Sequence, residues 1–368
     1  MSLSLTTRFV SVLAICTIFV GCRQQTKDET MADDFSPVIR DVWTTEQANT
    51  WYQQWGWLRG ADFIPSSAIN QLEMWQAETF DTATIDRELG WAESIGMNSM
   101  RVYLHHAAWE VDREGFKERV ERYLEIADKH HISTLFVLFD DCWNPTYEVG
   151  TQPSPKPGIH NSGWIRDPGD LIHQDSSLFP TLEEYVKDVL AHFGKDKRIV
   201  LWDLYNEPGN SGYGNKSKPL LENVFQWGRE INPTQPLSAG VWSPDLPDLN
   251  KYQLANSDVT TYHNYSPPDI HKDWIDSLRA YGRPLICTEY MARTRNSLFQ
   301  NIMPILKEEN IGAYNWGLVA GKTNTIYAWD SPMPDGREPA AWFHDIFRID
   351  GTPYKKEEVE LIKSLTIK

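Results

Sequence analysis

The chain has 368 residues, 41% hydrophobic and 23% charged, the balance of a soluble globular protein with one large domain or two smaller ones. Its formal net charge of -16 argues against a nucleic-acid partner, whose phosphates it would repel. Sixteen tryptophans and an aromatic content of 12% fit either a large core or the stacking of sugar rings on aromatic planes, and position has to decide between them.

At the N-terminus Arg8 precedes an apolar run over residues 9–20, followed by Gly21-Cys22. The run has the length of a signal-peptide core and is too short to span a bilayer; no later segment is long enough either. Phe19-Val20-Gly21-Cys22 resembles a bacterial lipobox, with Phe19 where leucine is usual, which implies lipidation at Cys22 and an exported, membrane-anchored protein. A plain secretory signal, with a periplasmic or secreted product, is the alternative. Residues 1–22 thus read as a signal peptide and residues 23–40 as a polar, flexible tether. Residues 41–368 remain as one domain. Its two cysteines, Cys142 and Cys287, close predicted strands and are expected as buried free thiols. No Cys-x-x-Cys or Cys/His ligand spacing points to a disulfide or zinc.

From Trp51 onward one rhythm runs to the end. A first strand over 56–61 precedes a helix over 81–95, where Ile85, Leu89, Trp91, Ala92 and Ile95 recur at helical spacing. A second strand (98–104) precedes a helix over 114–130, and a third strand covers 132–139. A Pro/Gly-rich connection over 141–180 leads to a helix over 181–193, a strand over 199–205 and a helix over 220–231. The later pairs are strand 236–241 with a weak helix over 248–256, and strand 259–263 with helix 273–281. Strand 284–288 with helix 297–309, and strand 312–316 with a last helix over 357–365, complete the series. Eight strand-then-helix units predict an α/β fold, a single (β/α)8 TIM barrel with a long loop after the third strand. A doubly wound sheet would also alternate, but no Gly-rich phosphate loop follows the first strand.

In such a barrel the functional groups lie at the C-terminal strand tips. The stretch Leu201-Trp202-Asp203-Leu204-Tyr205-Asn206-Glu207-Pro208 delivers a glutamate at the fourth tip, and Leu285-Ile286-Cys287-Thr288-Glu289-Tyr290 delivers another at the seventh. A carboxylate ending a buried strand is costly without a partner or a function, and two on separate strands are what glycoside hydrolysis needs. The other tips carry Arg101, Asp140 with Asp141, Asn206, His263 with Tyr265, and Trp316.

Met97-Asn98-Ser99-Met100-Arg101, Asn206-Glu207-Pro208, His263-Asn264-Tyr265, Thr288-Glu289-Tyr290 and Trp316 together resemble, in order and along the whole barrel, the motifs of clan A glycoside hydrolases, closest to family 5. The resemblance implies a retaining glycosidase or glycanase acting on β-1,4-linked mannan- or glucan-type chains. Glu207 would be the acid/base and Glu289 the nucleophile, with no metal or cofactor. Glu207 would have its proton favoured by partial desolvation and by the field of Glu289. Arg101 and Tyr265 would stabilise ionised Glu289, His263 would bond near Glu207, Asn206 would hold a sugar 2-hydroxyl, and Trp316 would floor the cleaved sugar. Each helper also has a bland reading: an ordinary barrel ion pair, a satisfied core histidine, simple packing. One departure stands out: family 5 members commonly carry a histidine at the third strand tip, where this chain has Asp140-Asp141-Cys142-Trp143. His105 and His106 are partial substitutes or merely solvated.

The 141–180 connection is too long for a neutral linker. With Trp143, His160, Asn161 and Trp164 among prolines and glycines, it reads as a subsite wall, with Asp141, Trp143 and Trp164 as candidate sugar contacts, and it leans the substrate toward short or chain-end saccharides. A surface insertion without function is the alternative. Two rival readings are a non-catalytic glycan-binding barrel and a metal-dependent hydrolase using Asp140, Asp141, His105 and His106. No protein partner is implied; carbohydrate is the expected partner.

Overall fold

The computed structural model describes residues 40–367. The expected leader, the expected lipidation residue Cys22 and the expected tether lie outside the described residues except for Arg40. That residue is anchored to the domain, its Nη2 2.5 Å from Asp258 Oδ2.

Eight parallel strands form the barrel: β1 (Arg59–Asp62), β2 (Ser99–Tyr103), β3 (Ser133–Asp140), β4 (Ile199–Asn206), β5 (Leu237–Ser238), β6 (Thr260–His263), β7 (Leu285–Tyr290) and β8 (Gly312–Trp316). They are ordered β5-β4-β3-β2-β1-β8-β7-β6, and every pairing is parallel. The expected (β/α)8 barrel is therefore present, closed everywhere except between β5 and β6. There a single bridge, Val241 to Tyr262, does the joining. The strand expected over 236–241 shrinks to two residues because pairing with β4 ends at Asp203–Ser238.

Strand alternation sorts side chains to two sides. In β3, Phe136 and Leu138 pack outward with the helices, while Leu135 and Val137 belong to a second cluster that fills the barrel. That inner cluster also contains Ala48 and Tyr52, from a helix over Thr45–Trp55 that the apolar periodicity did not reveal. The helix packs these two residues on Leu58, Val200, Val259 and Ile286, near the N-terminal ends of the strands, so it plugs the bottom of the barrel. Its start is nonetheless written in the sequence: Thr44 and Gln47 form a capping box. Two other short helices, Gln71–Trp75 and His106–Val111, follow β1 and β2 directly. Among the described residues no helix is long and apolar enough to cross a membrane.

Two long connections rise from the strand tips. One, after β3, is pinned by bridges Asp140–Asp167 and Asn144–Ile165. The other, over residues 317–355 after β8, holds no helix and is pinned by the bridge Val319–Phe347. Both stand on the C-terminal side, above the glutamates.

Candidate active site

Glu207 and Glu289 meet at the mouth of the barrel. Glu289 belongs to β7, and a register shift between Tyr262 and His263 sets His263 opposite it. Glu207 comes directly after β4 and has φ 44°, a left-handed conformation uncommon for a residue with a side chain. Trp143 and Met291, just past β3 and β7, have φ 73° as well. Sharp backbone turns at these tips aim the side chains over the barrel.

Arg101 holds Glu289. Its Nη1 lies 2.8 Å from Glu289 Oε1, 2.7 Å from Asp62 Oδ1 and 2.7 Å from Tyr103 Oη. Its Nη2 reaches Asp203 Oδ2 at 2.8 Å and Asn206 Oδ1 at 2.7 Å. The Tyr103 hydroxyl donates to Glu289 Oε1 at 3.0 Å, and the Tyr265 hydroxyl donates to Oε2 at 2.7 Å. Burial, then the charge of Glu289, holds the Tyr265 hydroxyl well above its usual range, so it stays a donor. Burial also pushes Asp62 well above the usual carboxylate range, against the pull of Arg101.

Glu207 has a different shell. His263 Nδ1 lies 2.8 Å from its Oε1 and 3.5 Å from Glu289 Oε2, so one imidazole stands between the two carboxylates. Cys142 Sγ donates to Glu207 Oε2 at 3.2 Å, and Asn210 Nδ2 donates to the same oxygen. Burial pushes the Glu207 pKa up, but the hydrogen bond and charge of His263, with the bonds from Cys142 and Asn210, outweigh it and hold the carboxyl below its usual value. The expectation that desolvation and the field of Glu289 favour the proton on Glu207 is thereby corrected; three donors, all aimed at the ionised form, decide the sign. Single ligating atoms of Glu207, His263 and Glu289 all lie within 4.8 Å of one another.

The pair opens into a cleft of about 560 Å³. Trp316, 8% exposed, lies along it, with Trp143 and Trp329 on its walls. Asn206 is fixed at both ends of its amide, accepting from Arg101 and donating to Asp140 Oδ1 at 2.8 Å. Its remaining N–H faces Cys142 Sγ, a weak acceptor at 3.5 Å.

Several expectations change here. Asp141 is buried beneath the site and contacts no cleft: it accepts from the Tyr205 hydroxyl (2.6 Å), the Gly209 amide (2.8 Å) and the Ser217 hydroxyl. Trp164 is likewise 2% exposed; its Nε1 donates to Asp140 Oδ2 at 2.7 Å and its ring props Trp316 from behind, centroids 5.5 Å apart. Arg101 is wholly buried and reaches the cleft only through Glu289 and Asn206. Cys142 is half-buried and faces the cleft, whereas Cys287 is buried as anticipated. His105 and His106 are not solvated. They sit buried beside Asp167 with every ring nitrogen engaged: His105 with the Arg166 carbonyl and the Ala107 amide, His106 with Asp167 and the Tyr147 hydroxyl. With Asp140 and Asp141 spent on other protein groups, the four residues of the metal-dependent reading never converge on one point.

Sequence reasoning passed over Asp62, Tyr103, Asn210, Trp242, Trp329 and His344. Two carried a usable signal: Tyr103 shares the strand face of Arg101 two residues on, and Asn210 follows Glu207 by one turn.

Arg101→Leu tests the buried network. It leaves Asp203 and Glu289 without their counter-charge, so urea unfolding should show a loss of about 3–5 kcal/mol. A variant as stable as the parent would mean that the network adds nothing to the fold.

The cellulase model of glycosyl hydrolase family 5 matches residues 158–322. No curated protein sequence matches the chain. Among solved structures, a GH5_18 protein from Streptomyces cattleya in complex with Manβ1-4GlcNAc is 11% identical, with a TM-score of 0.60 over 84% of this chain and 80% of that one. An endo-1,4-β-D-mannanase from Thermotoga petrophila is 14% identical, TM-score 0.54, over 84% of this chain and 99% of that one. An exo-β-1,4-mannosidase from an Opitutaceae bacterium is 15% identical, TM-score 0.58, over 84% and 59% of the two chains. At these identities the structures show the fold alone, a (β/α)8 barrel, and the family model makes residues 158–322, a little under half of the chain, similar to glycosyl hydrolase family 5.

Proposed function

We propose that the protein is an exported retaining glycosidase that cleaves β-1,4-linked saccharides of mannan or glucan type, anchored to a membrane by lipid on Cys22. The observation that carries the reading is the close pair of glutamates. Retaining enzymes place their carboxyl groups about 5–5.5 Å apart, whereas inverting ones need room for a water between them. An oxygen of Glu207 within 4.8 Å of one of Glu289 supports the shorter class. The mannan-type preference rests on the mannanase and mannosidase among the similar structures.

In this reading Glu289, aimed by Arg101, Tyr103 and Tyr265, attacks the anomeric carbon. The bond to the leaving oxygen breaks as Glu207 gives that oxygen its proton. Water then attacks the glycosyl-enzyme, its proton passes to Glu207, and Glu289 leaves. Asn206 turns its remaining N–H from the weakly accepting thiol to the sugar 2-hydroxyl, and Trp316 floors the ring. The lowered pKa of Glu207 fits this cycle if substrate displaces the Asn210 and Cys142 donors. The glycosidic oxygen accepts from protonated Glu207, which favours the acid form. Neither displacement requires a metal or cofactor.

Glu289→Ala should abolish turnover and recover part of it with azide, giving an α-glycosyl azide. Glu207→Ala should cost about 10²–10⁴-fold on substrates with poor leaving groups and little on activated aryl glycosides. The first-formed product of the parent should be the β-anomer by proton NMR; near-normal hydrolysis of a natural glycan by either variant, or an α-anomer first, rejects the assignment.

The pH profile gives an independent check. Glu207 has to be protonated to act as acid, so the basic limb of kcat/KM follows its pKa in the free enzyme. Asn210→Ala removes a donor to the carboxylate, raises that pKa, and should carry the basic limb to higher pH. A limb that stays put or falls to lower pH contradicts the role of Glu207.

For localisation, Cys22→Ser in a bacterial host should release the protein from membranes and end incorporation of labelled fatty acid. A parent protein that is already soluble and unlabelled would instead be a plain secreted one.

A further inference from the structure

The loop after β3 and the loop after β8 are joined edge to edge. The Asn161 amide donates to the Thr323 carbonyl at 2.8 Å, the Met333 amide to the Gly158 carbonyl at 2.9 Å, and Asn324 Nδ2 to the Lys156 carbonyl at 2.8 Å. His160 Nδ1 adds a bond to the Tyr327 carbonyl at 2.8 Å. The fit is close enough to demand glycine at 158, where φ is 65° and a Cβ would stand 1.6 Å from the Met333 oxygen. β3 and β8 are separated around the barrel by β2 and β1, so this seam crosses the mouth above those two strands.

The seam brings two unsatisfied polar side chains to the cleft. Asn161 is 1% exposed and lines the cavity, yet neither its Oδ1 nor its Nδ2 has a partner among the described residues. His344 is fully buried; its Nδ1 lies 2.6 Å from the Met291 carbonyl and must carry the proton, so its unpartnered Nε2 is a bare lone pair. Burial holds this imidazole well below its usual pKa, so it stays neutral. A buried amide without partners is costly, and a cleft-facing one is expected to be satisfied by what the cleft binds.

The seam also lies on a definite side of the glutamates. The Tyr265 ring, whose hydroxyl donates to Glu289, packs on Trp329 with centroids 5.0 Å apart and on His344 at 5.7 Å. On the Glu207 side stand Asn210 and Trp242, whose Nε1 donates to the Pro208 carbonyl at 3.2 Å. The leaving group must face the acid, so the seam faces the sugar that is attacked.

We propose that Asn161 and His344 form a terminal-sugar site at the closed end of the cleft, which receives the hydroxyls of a neutral, non-reducing-end hexopyranose and makes the enzyme cleave from chain ends. The inference rests on the glycosidase reading above. Sugar hydroxyls both donate and accept, so they can satisfy the lone pair of His344 and both ends of the Asn161 amide. A carboxylate or sulfate offers acceptors only and would face that lone pair unpaired. Trp143 and Trp329 supply apolar surface beside the polar pair.

Mannotetraose and cellotetraose labelled at the reducing end test the proposal. The parent enzyme should give labelled trisaccharide first on whichever tetraose it cleaves. A panel of monodeoxy aryl glycosides then tests the residues. Loss of the hydroxyl that meets Asn161 should cost the parent about three- to tenfold in kcat/KM, and Asn161→Ala should no longer distinguish that deoxy sugar from its parent glycoside. Labelled mono- or disaccharide among the first products overturns the closed end. An Asn161→Ala enzyme that discriminates as the parent does overturns the assignment of Asn161; the tetraose result stands without any variant. If the protein cleaves neither the tetraoses nor the aryl glycosides, the glycosidase reading itself fails and this inference falls with it.

Discussion

A fully buried guanidinium needs enough acceptors to replace its lost water, and at Arg101 those acceptors come from four strands. Asp62 ends β1, Tyr103 ends β2, Asp203 and Asn206 lie on β4, and Glu289 lies on β7. One side chain therefore ties together strands on different sides of the barrel. It also fixes the orientation of Glu289 and of the Asn206 amide in the same act. The contacts that offset the cost of burying this charge are therefore the same ones that orient Glu289.

The contrast with Glu207 follows. Glu289 is held by a permanent charge and two tyrosine hydroxyls. Glu207 is held by neutral or titratable donors: an imidazole, a thiol and an amide from its own loop. Two of these, Cys142 and Asn210, stand at the cleft surface where a ligand can replace them. Two carboxyl groups a few ångströms apart thus stand in separate environments.

The barrel was legible because its strands are buried on both faces and read as short apolar runs; β4 is buried throughout. The glutamates were legible because charge at the end of such a run stands out. What escaped had weaker local signatures. The helix over Thr45–Trp55 has only Ala48 and Tyr52 fully buried, so its periodicity is faint although its capping box is plain. Asp141 sits beside Asp140 at a strand tip and looks like a cleft residue. Its partners, Tyr205, Gly209 and Ser217, are fixed by the path of the next loop, which no spacing rule foretells. Cys142 looks like a core residue because cysteines usually are, whereas the turn at Trp143 leaves it facing Glu207. Asn161 and His344 reach one cleft from two chain segments far apart in sequence, and sequence alone gives no register for the seam that joins those segments.

The loop after β3 also cannot be treated as a wall added to a finished site. Trp164, three residues beyond Asn161 and donating its amide to the Asn161 carbonyl at 3.0 Å, runs back under the cleft. Its ring meets Tyr103 at 5.0 Å and Trp316 at 5.5 Å, and Tyr103 in turn meets Trp316 at 5.9 Å. Tyr103 is the residue that donates to Glu289 and touches Arg101. The loop that carries the outer wall thus also supports the floor, and the floor supports Glu289. Excising residues 152–164 would remove Trp164 and with it a hydrogen bond to Asp140, so the resulting loss would report a collapsed floor as much as an opened groove. A probe of the wall alone has to change Asn161 or the Gly158 contact and leave Trp164 where it is.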